Sequence, residues 1–290
     1  MPPPPLIGFK ASQWDVEWPA LLETWELADS LPELDSAWLF DHFSAVRNRA
    51  ASIDGAHEAW IVASALAART RRLRFGHLVI GNTHRHPALV ARMATTIDHV
   101  AGPGRFVLGL GTGWLEADHV QFGWPLPSPA ERTSMLESAV RVIKAMWAEP
   151  QGATLVADPY ELRDAWTLPP PLSPSGPPIW LGTMGMRRGL RIVAEHADGW
   201  NANGTVAEFL GRRDALLRHC EAVGRDPAEI EISAQLICLN RRPAEVIAAA
   251  DQLIVGGARH LIFVILASDG PAGLRRLTRD VVAPLRDRHG

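Results

Sequence analysis

Cysteine is almost missing from this chain, with Cys220 and Cys238 the only two. Two isolated thiols build neither a disulfide framework nor a paired zinc knuckle, so a reducing compartment is expected. Lysine is equally scarce: of 29 basic residues only Lys10 and Lys144 are lysine, the others being arginine. A formal net charge of −3 and the lack of a basic stripe give no reason to expect nucleic acid. No window is apolar enough for long enough to span a bilayer. The opening MPPPPLIGFK lacks the apolar run of a secretory signal, so a cytoplasmic location and no membrane partner are expected. Low complexity is confined to Pro2–Pro5. Several chemistries lack their residues too. His57-Glu58 has no second histidine for a zinc-protease helix, no Gly-x-Ser-x-Gly elbow occurs, and the first strand carries no histidine pair, so no metal is expected.

What is present is a globular α/β composition, 47% apolar and 21% charged over 290 residues, a length that a single barrel domain over 1–290 accommodates. Eight short apolar runs read as strands: 6–11, 37–40, 73–80, 105–110, 178–181, 199–202, 230–238 and 260–266. Most are continuous and not alternating, as in a parallel sheet covered on both faces. Helical spacing lies between them, for example Val90, Met93, Ala94, Ile97 and Val100 after Pro87. Ser128-Pro129-Ala130-Glu131 forms a capping box. Later helices fit 186–195, 206–223, 244–255 and 274–285. This alternation predicts a (β/α)8 TIM barrel. A Pro-rich stretch around 149–178, with a short hairpin around Leu155 to Leu162, reads as an irregular insertion before the fifth strand.

Candidate chemistry gathers where strands end. Asp41-His42 follows the second strand, at the mouth where barrel enzymes work; His42 could move a proton with Asp41 accepting from it, or Asp41 could be a turn cap. Gly109-Leu110-Gly111-Thr112-Gly113 ends the fourth strand and would let a flat or anionic ligand approach, but Trp114 stands where a dinucleotide fingerprint needs its third glycine. Gly182-Thr183-Met184-Gly185, ahead of a helix, reads either as a phosphate site or as an ordinary βα loop. His84 and His86 read as a polar loop and helix start. Trp14, Trp114 and Trp200, near strand ends, are candidates for an apolar pocket, or for core.

These motifs, with Ala37-Trp38-Leu39-Phe40-Asp41-His42, Gly81-Asn82-Thr83, Arg85-His86-Pro87, Ile179-Trp180-Leu181-Gly182 and Ala197-Asp198-Gly199-Trp200, occur in an order that resembles the luciferase-like monooxygenase superfamily, and more narrowly its branch using the deazaflavin coenzyme F420. The resemblance covers nearly the whole chain. It implies a barrel with an insertion before the fifth strand and an oxidoreductase passing hydride between F420 and a small organic substrate. Asp41 and His42 would lie against the ring, His42 moving the proton. Leu78-Val79 would form a non-proline cis peptide behind the ring; Asn82, Thr83, Gly111, Thr112 and Gly113 would contact ring or ribityl chain; Gly182, Thr183, Met184 and Gly185 would hold the phosphate. Such relatives are often homodimers, and apolar outer helix faces would allow one here. Trp114 departs from the sugar-phosphate dehydrogenases, which carry a glutamate acid there, and implies an apolar substrate. Two alternatives stay open: an FMN-dependent monooxygenase using O2, and a barrel that binds such a ligand without catalysis.

Overall fold

The computed structural model describes residues 3–11, 13–43 and 55–290, so Pro2 of the proline run lies outside the described residues. In chain order the elements are β1 (Leu6–Ala11), α1 (Trp18–Ser30), β2 (Ser36–Leu39), α2 (Ala59–Arg69), β3 (Arg74–His77), β4 (Ile80–Gly81), α3 (Pro87–Ala101), β5 (Phe106–Gly111), α4 (Glu116–Phe122) and α5 (Pro129–Ala148). There follow β6 (Gln151–Ala157), β7 (Tyr160–Trp166), β8 (Ile179–Gly182), α6 (Arg188–His196), β9 (Gly199–Ala202), α7 (Val206–Val223), β10 (Glu231–Ile237), α8 (Pro243–Val255), β11 (His260–Ile265), α9 (Gly270–Leu277) and α10 (Ala283–His289). The main sheet runs β3-β2-β1-β11-β10-β9-β8-β5-β4 and closes through β3–β5, giving a parallel eight-stranded (β/α)8 TIM barrel in which β3 and β4 are two pieces of one stave.

Two departures from the sequence reading have physical reasons. α2 was not among the expected helices because AWIVASALAAR is apolar nearly all round and shows no polar face to set a period. The insertion is more regular than expected: β6 and β7 pair antiparallel over two seven-residue strands, with Ala153, Ala157, Tyr160 and Leu162 turned inward.

The barrel interior is filled by Trp38, Leu78, Val107, Trp180 and Ile262, with Trp38 and Trp180 stacked at 4.9 Å between centroids. Beneath them Glu231 Oε1 accepts from His260 Nδ1 (2.9 Å), leaving Nε2 to accept from the Ser36 hydroxyl (2.6 Å), which in turn accepts from Trp38 Nε1 (2.8 Å). The order Ser–His–Glu is that of a hydrolase triad, but Ser36 is wholly buried and its lone pair is occupied, so here it is a plug. Burial lowers the pKa of His260 and outweighs the opposing pull of Glu231. Burial also raises that of Glu231, but His260 and Arg74 bring it below the ordinary carboxylate value.

Between β3 and β4 the chain bulges, and the Leu78–Val79 peptide is cis. The Val79 side chain leans over the ends of β5 and β8. A Cβ added at Gly111 would lie 2.5 Å from Val79 Cγ2, and one at Gly182 would lie 2.8 Å from Cγ1. These glycines therefore make room for the bulge before they make room for any ligand.

Two outcomes follow from this packing. Gly182→Ala should lower stability by about 2 kcal/mol through overpacking, and Gly182→Ala/Val79→Ala should recover much of it in a double-mutant cycle read by denaturant unfolding. Glu231→Gln should cost about 2 kcal/mol, the scale of hydrogen bonds to a charged group. Both native groups have lowered pKa values, so the stability they contribute is complete above the ordinary histidine value near 6.5. In the wild type it should fall as pH drops, first as His260 is forced to protonate and further as Glu231 does. Melting temperatures from pH 7 to pH 4 check this, with the Gln variant, which loses the pull that Glu231 exerts on His260, declining more steeply as His260 is forced to protonate.

Candidate active site

The C-terminal ends of the strands surround a cavity of about 760 Å³, within the usual range for ligand sites. Asp41, His42, the Leu78–Val79 bulge and Trp114 line it, Gly182 lies against Val79, and Thr183 to Gly189 line it too, with Arg132 and Thr133 from α5. The structure thus brings together Asp41, His42, Leu78, Val79, Gly111, Thr112, Gly113, Trp114, Gly182, Thr183, Met184 and Gly185 of the expected residues.

Four others face elsewhere. Asn82 is buried and donates to Tyr160 OH of the hairpin (3.2 Å). Thr83 faces α4: His119 Nδ1 donates to the Leu115 carbonyl (2.8 Å), so its Nε2 accepts from the Thr83 hydroxyl (2.8 Å). Trp14 forms a bridge with Ala56, and Trp200 is buried against Phe209, its indole N–H on the Thr183 carbonyl (3.2 Å). His86 caps α3 by accepting from Ala88 N (3.2 Å).

The adjacent pair Asp41-His42 does not form a dyad, which corrects the expectation that Asp41 accepts from His42. Successive residues of an extended segment point to opposite sides. Asp41 is 3% exposed and turns toward the bulge, accepting from Gly81 N (3.1 Å), His84 Nδ1 (3.1 Å) and Arg85 Nη1 (2.8 Å). Arg85 in turn bonds Glu58. Burial pushes the Asp41 pKa up, but the His84 hydrogen bond and the Arg85 charge outweigh it and hold the carboxyl below its ordinary value. Asp41 is therefore an ionised clamp on the loop after the bulge.

His42 takes its partner from α4. Its Nδ1 lies 3.0 Å from Asp118 Oδ2, while Asp118 Oδ1 accepts from Phe43 N (3.1 Å), and Asp118 is completely buried. A carboxylate on Nδ1 fixes that nitrogen as the N–H and leaves Nε2 as the working atom. The Trp114 ring meets the imidazole edge-on at 5.5 Å and is itself 58% exposed. Glu116 is exposed at the start of α4.

Cationic and donor groups gather along the Thr183 to Gly189 stretch of the lining. No side chain caps the N-terminus of α6, and Arg187, Arg188 and Gly189 at its start line the cavity. Gly189 is pressed against Thr183, where an added Cβ would come within 2.1 Å of Oγ1, so its lack of a side chain is what lets Thr183 pack on the start of α6. Arg132 Nε is buried and has no acceptor among the described residues. Arg187 and Arg188 line the same end. The orphaned Arg132 donor, an uncapped helix terminus and the arginines fit a phosphate, and the cavity beside the bulge is large enough for the ring of a flavin or deazaflavin. Sequence reasoning missed Asp118, Arg132 and Lys10. Asp118 is 76 residues from His42 and only the fold joins them.

Comparison with known proteins agrees with this geometry. The chain is 31% identical over 249 residues to the F420-dependent glucose-6-phosphate dehydrogenase of Kineococcus radiotolerans, covering 83% of this chain and 70% of that one. It is 25% identical over 277 residues to the 4-hydroxyprotoasukamycin monooxygenase of Streptomyces nodosus subsp. asukaensis, covering 91% and 70%. The solved structure of an F420-dependent secondary alcohol dehydrogenase in complex with an F420-acetone adduct superposes with a TM-score of 0.83 over 96% of this chain and 99% of that one, at 17% identity, a likeness of fold. Residues 11–280 match the model of the luciferase-like monooxygenase family, and with the barrel and site described above the chain belongs to that family.

Proposed function

We propose that this protein is an oxidoreductase that transfers hydride between coenzyme F420 and a small, largely apolar alcohol or carbonyl compound. The observation that carries the reading is a single cavity lined both by His42, held by the buried Asp118, and by three arginines near the uncapped N-terminus of α6. The deazaflavin, when bound, would give or take the hydride at its ring. It is the cofactor named for the Kineococcus relative, and its anionic tail suits Arg132, Arg187 and Arg188 better than the shorter FMN would.

The chain's own groups then divide the work. His42 Nε2 takes the proton of a bound hydroxyl as the hydride leaves its carbon, or returns it to the carbonyl oxygen in reverse, so the two electrons travel as hydride and the proton through the imidazole. Asp118 holds the tautomer that makes this possible and stabilises the charged ring between steps. Asp41, through Gly81, His84 and Arg85, keeps the loop after the bulge in place. Trp114, Met184 and Met186 line the cavity with exposed apolar side chains. A second reading, an FMN-dependent monooxygenase, draws support from the Streptomyces relative, whose match covers more of this chain.

Titrating the purified protein with F420 and with FMN, read by tryptophan quenching, separates the two; tighter binding of FMN would overturn the F420 reading. Arg132→Ala/Arg187→Ala should weaken F420 about tenfold or more and flatten the salt dependence of its binding, since each lost contact is a charge-assisted one. His42→Ala and Asp118→Asn should each lower kcat by roughly 10²- to 10⁴-fold while F420 affinity stays within about threefold, and Asp118→Asn should also displace the kcat–pH profile. Loss of cofactor binding in step with kcat would contradict the assigned roles.

A further inference from the structure

Just above the Trp38–Trp180 stack lies a polar layer that the proposed reaction does not use. Its hydrogen bonds run one way: from Lys10 Nζ to Gln235 Oε1 (3.3 Å), from Gln235 Nε2 to Asn201 Oδ1 (2.5 Å), from Asn201 Nδ2 to Ser233 Oγ (2.8 Å), and from the Ser233 hydroxyl to the Trp200 carbonyl (3.0 Å). Side-chain amide oxygens are thereby taken up within the layer, and what it offers upward is N–H groups. Lys10 is the head of the chain. It also donates to the Leu78 carbonyl (2.7 Å), the oxygen of the cis peptide.

An ammonium has three N–H groups, and the third one on Lys10 meets no acceptor among the described residues. Lys10 lines the cavity, so that donor has space above it. A charge at this depth is normally matched by a carboxylate. Among the described residues the one carboxylate lining the cavity is Asp41, already engaged by Gly81, His84 and Arg85. Burial accordingly depresses the Lys10 pKa to about 8, with no opposing carboxylate. The residue type is itself pointed: in a chain that uses arginine for nearly all its cations, a lysine interrupts the apolar run of β1 at an inward position, paired in register with Trp38. Methionine would have filled the space without the cost of burying charge.

We propose that Lys10 is a binding residue for negative charge on the reduced ring of the cofactor, its free N–H reaching the pyrimidinedione edge beside the Leu78–Val79 bulge. This rests on the functional reading above, and holds for deazaflavin or flavin alike because both carry that edge. A ring that has accepted hydride keeps negative charge over N1 and the C2 carbonyl until a further proton arrives. A lone ammonium there stabilises the reduced form over the oxidised one, and so sets the potential from which the hydride is given. A substrate carboxylate is the competing source of the same charge.

The test is anaerobic titration of wild type, Lys10→Met and Lys10→Gln with oxidised and with reduced F420, substrate absent, after melting curves confirm folding. Met removes a buried charge that has no carboxylate partner and should melt no lower than wild type. Gln keeps an N–H for the Leu78 carbonyl. Reduced F420 should bind about tenfold or more weaker in both variants while oxidised F420 stays within about threefold; a tenfold change in that ratio lowers the bound potential by about 30 mV for a two-electron couple. Equal weakening of both forms would reduce Lys10 to a prop for the Leu78 carbonyl and overturn the inference. So would unchanged affinity for both forms, which would leave a substrate anion as the occupant. If wild type binds FMN and not F420, the same arms run with FMN. If it binds neither, the functional reading fails, and this one with it.

Discussion

The contact between the Val79 side chain and the glycines at the ends of β5 and β8 is the constraint on which the site depends. The third stave of the barrel does not run straight; it stops at His77 and resumes at Ile80. The two residues between them bulge, and only a surface without Cβ atoms at Gly111 and Gly182 lets Val79 lie across it. Once seated, the bulge presents the Leu78 carbonyl to Lys10 and directs the chain so that Gly81 N, His84 and Arg85 converge on Asp41. A wall, a floor contact and a loop anchor thus share one packing event.

Electrostatics then separates two neighbours in sequence into different tasks. Asp41 is ionised and fully occupied, and acts by holding backbone. His42, one residue on, reaches the buried Asp118 on α4 and keeps one nitrogen toward the cavity. The short helix α4 is therefore more than a connector. It supplies the carboxylate that sets the imidazole tautomer, and His119 of the same helix ties it to Thr83 in the loop after the bulge.

The barrel was legible because parallel strands covered on both faces leave continuous apolar runs, and those runs matched the strands to within one or two residues. The exception is the third, where a run from 73 to 80 concealed a break, since a bulge changes backbone direction without changing composition. Strand-end motifs located the cavity, but residue type could not say which way a side chain turns. Asn82 and Thr83 sit in a site-like stretch yet face the hairpin and α4. Asp118 and Arg132 lay on helices whose faces become neighbours of the cavity only after closure. Lys10 did leave a signal: a single charge inside the run LIGFKA is costly in a strand buried on both sides, and such a cost asks for a reason.

The division of roles within the cavity also bears on selectivity. On the proposed reading, the arginines discriminate among cofactors by charge, and His42 and Lys10 govern proton and electron movement. Neither touches the distinctive part of a substrate. That falls to Trp114, Met184 and Met186, exposed side chains without hydrogen-bonding specificity apart from the indole N–H. An apolar lining of this kind separates substrates by about 1–3 kcal/mol per methylene, far less than a site that pairs a specific hydroxyl or amide. On the proposed reading, Trp114 in place of an acid therefore does more than disfavour sugar phosphates: it would leave the site with strict demands on its cofactor and loose ones on the molecule it transforms.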